Sequence, residues 1–233
     1  MTKWLASVQS LQEAHALSAV LPDILDMKDP AKGALGALSV STVSQIVKMV
    51  DGRCQTSATI GDLAMEAQQI AQAMIMMAES GVDYVKIGLF PDNELRLCIR
   101  DLAPTVSSLN TPVIAVLFAD KPLQLDVLPL LKEAGFHGVM VDTAIKNGQH
   151  LQDHWDEEQL THFVQQAEDH QLLCGLAGAL RLEDISTLSS FGADYLGFRS
   201  ALCDKRQRTS SLQAQLASQV KEAIEAERLA LLV

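Results

Sequence analysis

Eight short apolar runs recur along the chain, each followed by a longer amphipathic stretch, and few folds accommodate that rhythm. The runs are Trp4–Val8, Ile24–Lys28, Thr56–Ile60, Tyr84–Leu89, Val113–Phe118, Gly138–Val141, Leu172–Leu176 and Tyr195–Arg199. Their length suits strands. The stretches between them suit helices, most clearly over Met65–Glu79 and Glu157–His170, where Asp156 followed by Glu157 and Glu158 marks a capped start. Three segments repeat one device: Glu79-Ser80-Gly81-Val82-Asp83, Glu133-Ala134-Gly135-Phe136-His137 and Ser190-Phe191-Gly192-Ala193-Asp194. In each a glycine ends a helix and the next strand starts within a few residues. Strand–helix units joined by short right-handed crossovers close into a parallel (β/α)8 barrel, the TIM-barrel form of the α/β class. An open doubly wound sheet would normally place a glycine-rich nucleotide loop after the first strand, and that position reads Gln9-Ser10-Leu11-Gln12-Glu13. No linker or change of composition interrupts the chain, so residues 1–233 are read as one domain.

A barrel changes the meaning of the charged residues at strand ends. Lys28 closes the second run, Lys86 lies in the fourth, Asp142 follows the sixth and Arg199 closes the eighth. Alternate strands feed the same interior layer, and the side-chain period of two puts Asp26 on the face of Lys28. Asp26, Lys28, Lys86 and Asp142 are therefore expected to converge at the carboxyl end of the barrel, with Lys146 just beyond. A buried ammonium is costly and calls for a partner or a chemical task. A lysine whose pKa is lowered by a dry pocket or a second ammonium exposes its lone pair, attacks a carbonyl and forms a Schiff base. The neighbouring lysine and carboxylates can then move protons. The plainer alternative is a set of ion pairs plugging the barrel mouth.

A phosphate site is expected in the loops after the seventh and eighth strands. Gly178 would let backbone N–H groups approach an anion, and Arg199, beside Ser200, could bind it bidentately. The run Asp204-Lys205-Arg206-Gln207-Arg208 adds positive charge to an otherwise acidic chain. Asp62 and Asp120 also end strands and could orient a substrate hydroxyl or cap the following helix.

The net charge of −11 argues against nucleic-acid or anionic-membrane partners, and any anionic substrate needs a local positive site working against that field. No apolar stretch is long enough to span a bilayer, and the start of the chain lacks a signal-peptide pattern. Cys54, Cys98, Cys174 and Cys203 are widely spaced, which fits reduced thiols in a cytoplasm and no zinc site. His150 and His154 lack a third ligand in their loop, so neither a metal nor an organic cofactor is expected. The apolar stretch Met65–Ala78 on the outside of the barrel suggests a homo-oligomer.

At these same residues the chain resembles the (5-formylfuran-3-yl)methyl phosphate synthases of methanofuran biosynthesis. The likeness runs through Asp23-Ile24-Leu25-Asp26-Met27-Lys28-Asp29-Pro30 with Gly33 and Leu35-Gly36-Ala37, then Ser57-Ala58-Thr59-Ile60-Gly61-Asp62 and Asp83-Tyr84-Val85-Lys86-Ile87-Gly88-Leu89. It continues in Asp142-Thr143-Ala144-Ile145-Lys146-Asn147-Gly148, Leu176-Ala177-Gly178 and Arg199 to Cys203. Gln149 departs from it, standing where archaeal relatives have a lysine. The resemblance implies a cofactor-independent carbon–oxygen lyase acting on phosphates. It would condense two molecules of glyceraldehyde 3-phosphate with loss of one phosphate and water. It also implies that Lys28 forms the Schiff base, that Lys86 accepts a proton, and that Asp26, Asp142 and Lys146 relay protons. Another Schiff-base aldolase of sugar phosphates, or a non-catalytic barrel that binds a phosphorylated metabolite, remains an alternative.

Overall fold

A computed structural model describes residues 1–122, 125–145 and 147–230. Eight parallel strands close on themselves in chain order: β1 (Lys3–Val8), β2 (Ile24–Met27), β3 (Gln55–Thr59), β4 (Tyr84–Gly88), β5 (Val113–Phe118), β6 (Gly138–Asp142), β7 (Leu173–Leu176) and β8 (Tyr195–Phe198). Each expected strand is present, with ends within one residue of the apolar run. Lys28 and Arg199 stand just past β2 and β8, as the first residues of their loops.

The outer ring comprises α1 (Leu11–Ala16), α2 (Val40–Val50), α3 (Ala67–Ala78), α4 (Leu95–Ser108), α5 (Leu128–Glu133), α6 (Leu151–His154), α7 (Glu157–Asp169), α8 (Ile185–Ser190) and α9 (Ala214–Ala230). Their buried faces follow the helical period. In α2, Val43, Ile46 and Val50 turn inward. In α7, the Asp156 side chain accepts from the Gln159 backbone N–H while Gln159 accepts from that of Asp156, a complete capping box. Gly81, Gly135 and Gly192 have φ of 88°, 88° and 84°, so the repeated glycines do end helices in the left-handed region.

Closure creates two cores. One fills the annulus between strands and helices. The other fills the barrel, where Leu5, Ile24, Ile114, Val116, Met140 and Tyr195 form a dry floor. Tyr195 needs room that its neighbour Gly175 provides, since a Cβ there would lie 2.3 Å from the tyrosine ring. Gly175→Ala should therefore destabilise the protein by roughly 1–3 kcal/mol through overpacking. A thermal melt unchanged from wild type would show that the ring can move aside.

The amino-terminal end of the barrel repeats a second device. Asp23, Asp83 and Asp194 immediately precede β2, β4 and β8. Their carboxylates accept from the backbone N–H of Trp4, Thr56 and Cys174 at 2.8, 2.7 and 2.7 Å. Each thus ties an even strand to the strand before it and helps fix the register that sets the heights of residues at the other end.

Candidate active site

At the carboxyl end, the even strands place two lysine–aspartate pairs one above the other. The lower pair lies deep in the barrel, with Lys86 at the floor of the mouth. Lys86 Nζ lies 2.8 Å from Asp26 Oδ1, and the two residues are 2% and 0% exposed. Asp26 pairs in register with Ser7 on β1 and Ser57 on β3, so both hydroxyls reach its carboxylate, at 2.9 and 2.6 Å. Burial alone would push the Asp26 carboxyl up. The charges of Lys86 and Lys28, together with hydrogen bonds from Lys86 and Ser57, outweigh it and hold the group below the usual carboxylate range. Burial pulls the Lys86 ammonium below the ordinary lysine value, with Asp26 opposing and Lys28 adding to the pull.

The upper pair opens to the mouth. Lys28 Nζ lies 3.4 Å from Asp142 Oδ2, and the other oxygen of Asp142 accepts from the Thr143 N–H at 2.7 Å. The expected convergence of Asp26, Lys28, Lys86 and Asp142 is thus present as geometry. Lys146 lies outside the described residues.

The loop behind Lys28 is tightly built. Asp62 accepts from the N–H groups of Ala34 and Leu35 at 2.8 and 2.9 Å, and Thr59 Oγ1 donates to the Gly36 carbonyl. Asp120 holds the loop after β6 in the same way, through the N–H groups of Ala144 and Ile145 at 2.7 and 2.6 Å. The helix-cap reading of both aspartates is therefore corrected. The N-cap positions of α3 and α5 belong to Glu66 and Val127, and the two carboxylates hold neighbouring loops. His150 has a similarly local role, its Nδ1 accepting from the Gln152 N–H at the start of α6. Among the described residues, no three His, Cys, Asp or Glu side chains gather as metal ligands would.

Arg199 also requires correction. Its guanidinium grips Glu13 through both Nη atoms, at 2.5 and 3.1 Å, and donates to the carbonyls of Ser7, Arg208 and Ser210. All five N–H groups are thereby engaged, so none remains for a phosphate. The partner that sequence reading missed, Glu13, is 7% exposed. Its only signal was the Ser10-x-x-Glu13 spacing of a helix start.

A cavity of about 580 Å³ covers these groups. Its cationic lining includes Lys28, Lys86, Arg181, Lys205, Arg206 and Arg208, and Asp142 also borders it. Gly178 and Ser200 line it as well, with Gly178 at φ 115°, where a side chain would be strained and a Cβ would press within 3.0 Å of Thr143. The mouth is thus basic in a chain of net charge −11, which is the local positive site an anionic substrate needs.

The family model for 4-HFC-P synthase matches residues 4–221, nearly the whole barrel. The chain belongs to that family. A (5-formylfuran-3-yl)methyl phosphate synthase of Methanopyrus kandleri is 34% identical over 214 residues, covering 86% of this chain and 90% of the relative. The enzyme of that name from Methanosarcina acetivorans is 32% identical over 235 residues, covering 94% and 98%. A Methylorubrum extorquens protein provisionally given the same name is 39% identical over 222 residues, covering 95% and 91%. Among solved structures, 3-hexulose-6-phosphate synthase superposes with a TM-score of 0.65 at 18% identity, covering 95% of this chain and 99% of that one. Phosphoribosyl anthranilate isomerase from Thermococcus kodakaraensis superposes with a TM-score of 0.64 at 11% identity, covering 96% and 99%. At such identities these two structures speak to the fold alone.

Proposed function

We propose that the chain condenses two molecules of glyceraldehyde 3-phosphate into (5-formylfuran-3-yl)methyl phosphate through an imine on Lys28, as a lyase of methanofuran-type cofactor biosynthesis. The observation that carries this reading is the stacked arrangement of Lys28–Asp142 above the deeper Lys86–Asp26 pair. The Lys28 amine adds to the aldehyde of one substrate and expels water. Lys86, which burial makes easier to deprotonate, takes the proton from the carbon beside the imine. The enamine electrons expel one phosphate and leave an enol, and the enol electrons, with loss of its hydroxyl proton, form the bond to a carbonyl carbon of the second molecule. Ring closure, dehydration and hydrolysis of the imine follow, for a net release of one phosphate and two waters. Asp26 holds Lys86, Asp142 carries protons at the upper level, and Lys146 is assigned to the same relay. Gly178 and Ser200 are read as contacts for the phosphate of the imine-bound substrate.

Incubation with glyceraldehyde 3-phosphate alone tests the proposal. A furan chromophore with released phosphate is expected. A sugar bisphosphate would identify an aldolase instead, and no turnover would leave only a binding role. Activity should survive prolonged dialysis against a chelator, because lysine chemistry needs no metal. Loss that is restored by one divalent ion would overturn that mechanism. The reading also supposes a reducing cytoplasm, consistent with four free cysteines, and self-association through the exposed Ile75 and Met76 of α3. Light scattering that returns a monomer would remove the latter.

A further inference from the structure

We infer that Arg208 is the ligand for the phosphate of the second substrate molecule, presented at the barrel mouth by the buried Glu13–Arg199 pair. The inference rests on the proposed condensation of two phosphorylated aldehydes, which must hold a second anion beside the first.

The loop after β8 is a built structure. An antiparallel bridge between Cys203 and Leu212 closes it. From beneath, Arg199 Nε donates to the Arg208 carbonyl at 2.7 Å and Nη2 donates to the Ser210 carbonyl at 3.1 Å. Glu13 accepts from the Leu212 N–H at 3.2 Å, and Arg199 Nη1 ties the assembly to the Ser7 carbonyl at the end of β1. One buried ion pair therefore fixes the loop backbone at Arg208, at Ser210 and at Leu212. Lys205 and Arg206 have φ of 50° and 56°, consecutive left-handed residues that are not glycine. Such backbone costs energy and persists where surrounding contacts enforce it.

The loop's cations have different surroundings. Arg206 pairs with Glu183 at 3.1 Å, and Lys205 stands exposed. Arg208 is half-buried in the cavity wall, and its guanidinium makes no hydrogen bond or ion pair with any described residue. It borders the same cavity as Lys28 and Asp142. The loop thus carries Arg208 from β8 over the mouth toward Lys28's carboxylate partner. A partly desolvated guanidinium with its donors unspent is suited to a bidentate oxyanion. Arg199 and Glu13 are positioning residues, and Arg208 is the substrate contact.

Arg208→Ala should raise the KM for glyceraldehyde 3-phosphate by roughly 10- to 100-fold, the range expected for lost charge-assisted hydrogen bonds. Borohydride trapping of the first substrate on Lys28 should saturate as in wild type. Arg208→Lys should recover part of the loss, because it keeps the charge without the planar fork. With unphosphorylated glyceraldehyde as the second reactant, wild type and Arg208→Ala should behave alike. Glu13→Gln should raise the same KM while sparing trapping. If that variant does not fold, the Arg208 variants decide the matter alone. Wild type that makes no furan would sink the synthase reading, whereas wild-type turnover unchanged in Arg208→Ala would sink only the role of Arg208. Calorimetric titration with inorganic phosphate separates the two further. Two sites in wild type and one in Arg208→Ala are expected whether or not product forms, and the same number of sites in both overturns the inference.

Discussion

Lys28→Arg should abolish both turnover and imine trapping, with the rate falling on the order of 10⁴-fold or more, as when a covalent nucleophile is removed. The substitution keeps a positive charge near Asp142, so the upper ion pair and the fold should survive, and a thermal melt near wild type would confirm it. A guanidinium stays protonated at any accessible pH and cannot attack an aldehyde. Borohydride reduction in the presence of substrate should add mass to the wild-type peptide containing Lys28. Mass added at Lys86 instead would move the nucleophile to the lower level. The deeper burial of Lys86, 2% exposed against 8% for Lys28, favours Lys28 as the group that meets the substrate first.

Removing Lys86 should separate binding from proton transfer. In Lys86→Ala, imine trapping at Lys28 should persist while kcat falls by roughly 10²–10⁴-fold, the usual cost of losing a positioned acid–base group. The variant also strands Asp26, and losing one partner of a buried pair costs roughly 3–5 kcal/mol. The stability loss has a pH signature. Asp26 is held below its ordinary pKa, so its contribution is complete above the unfolded value of about 3.9 and disappears as pH falls through the lower folded value. Without Lys86 the folded value rises, and acid unfolding should begin at a higher pH. Urea titrations across the acid range would read that shift. The double variant Asp26→Asn with Lys86→Met removes both charges and should recover much of the stability but none of the rate. A double variant that regained turnover would show that Lys86 served only as Asp26's counter-ion.

On the alkaline side the slope of stability against pH has the same sign. Lys86 in the folded protein releases its proton below the ordinary lysine value, whereas the unfolded chain keeps it. Stability from this group therefore rises with pH between the folded value and about 10.4. Over the same window the neutral amine needed for proton abstraction accumulates.

The strand order, the closed barrel and the gathering of Asp26, Lys28, Lys86 and Asp142 at one end were legible in periodicity, whereas which lysine meets which aspartate, and at what depth, was not. Periodicity is a local property, and in a parallel barrel the register of neighbouring strands turns it into height. Asp26, Lys28 and Lys86 could therefore be placed on one interior before any contact was known. The aspartates ahead of β2, β4 and β8 were equally local, yet their purpose appears only with the neighbouring strand whose N–H they hold. What the tertiary structure decided was how the loop residues are used. Asp62, Asp120 and Arg199 each had the chemistry to touch substrate, and each holds backbone groups or a buried carboxylate distant in sequence, which in Arg199 engages every donor. Glu13 and Arg199 are separated by 186 positions, and no short motif records their pairing. A side chain's donors are finite, so its function depends on which are already engaged, and long-range packing settles that.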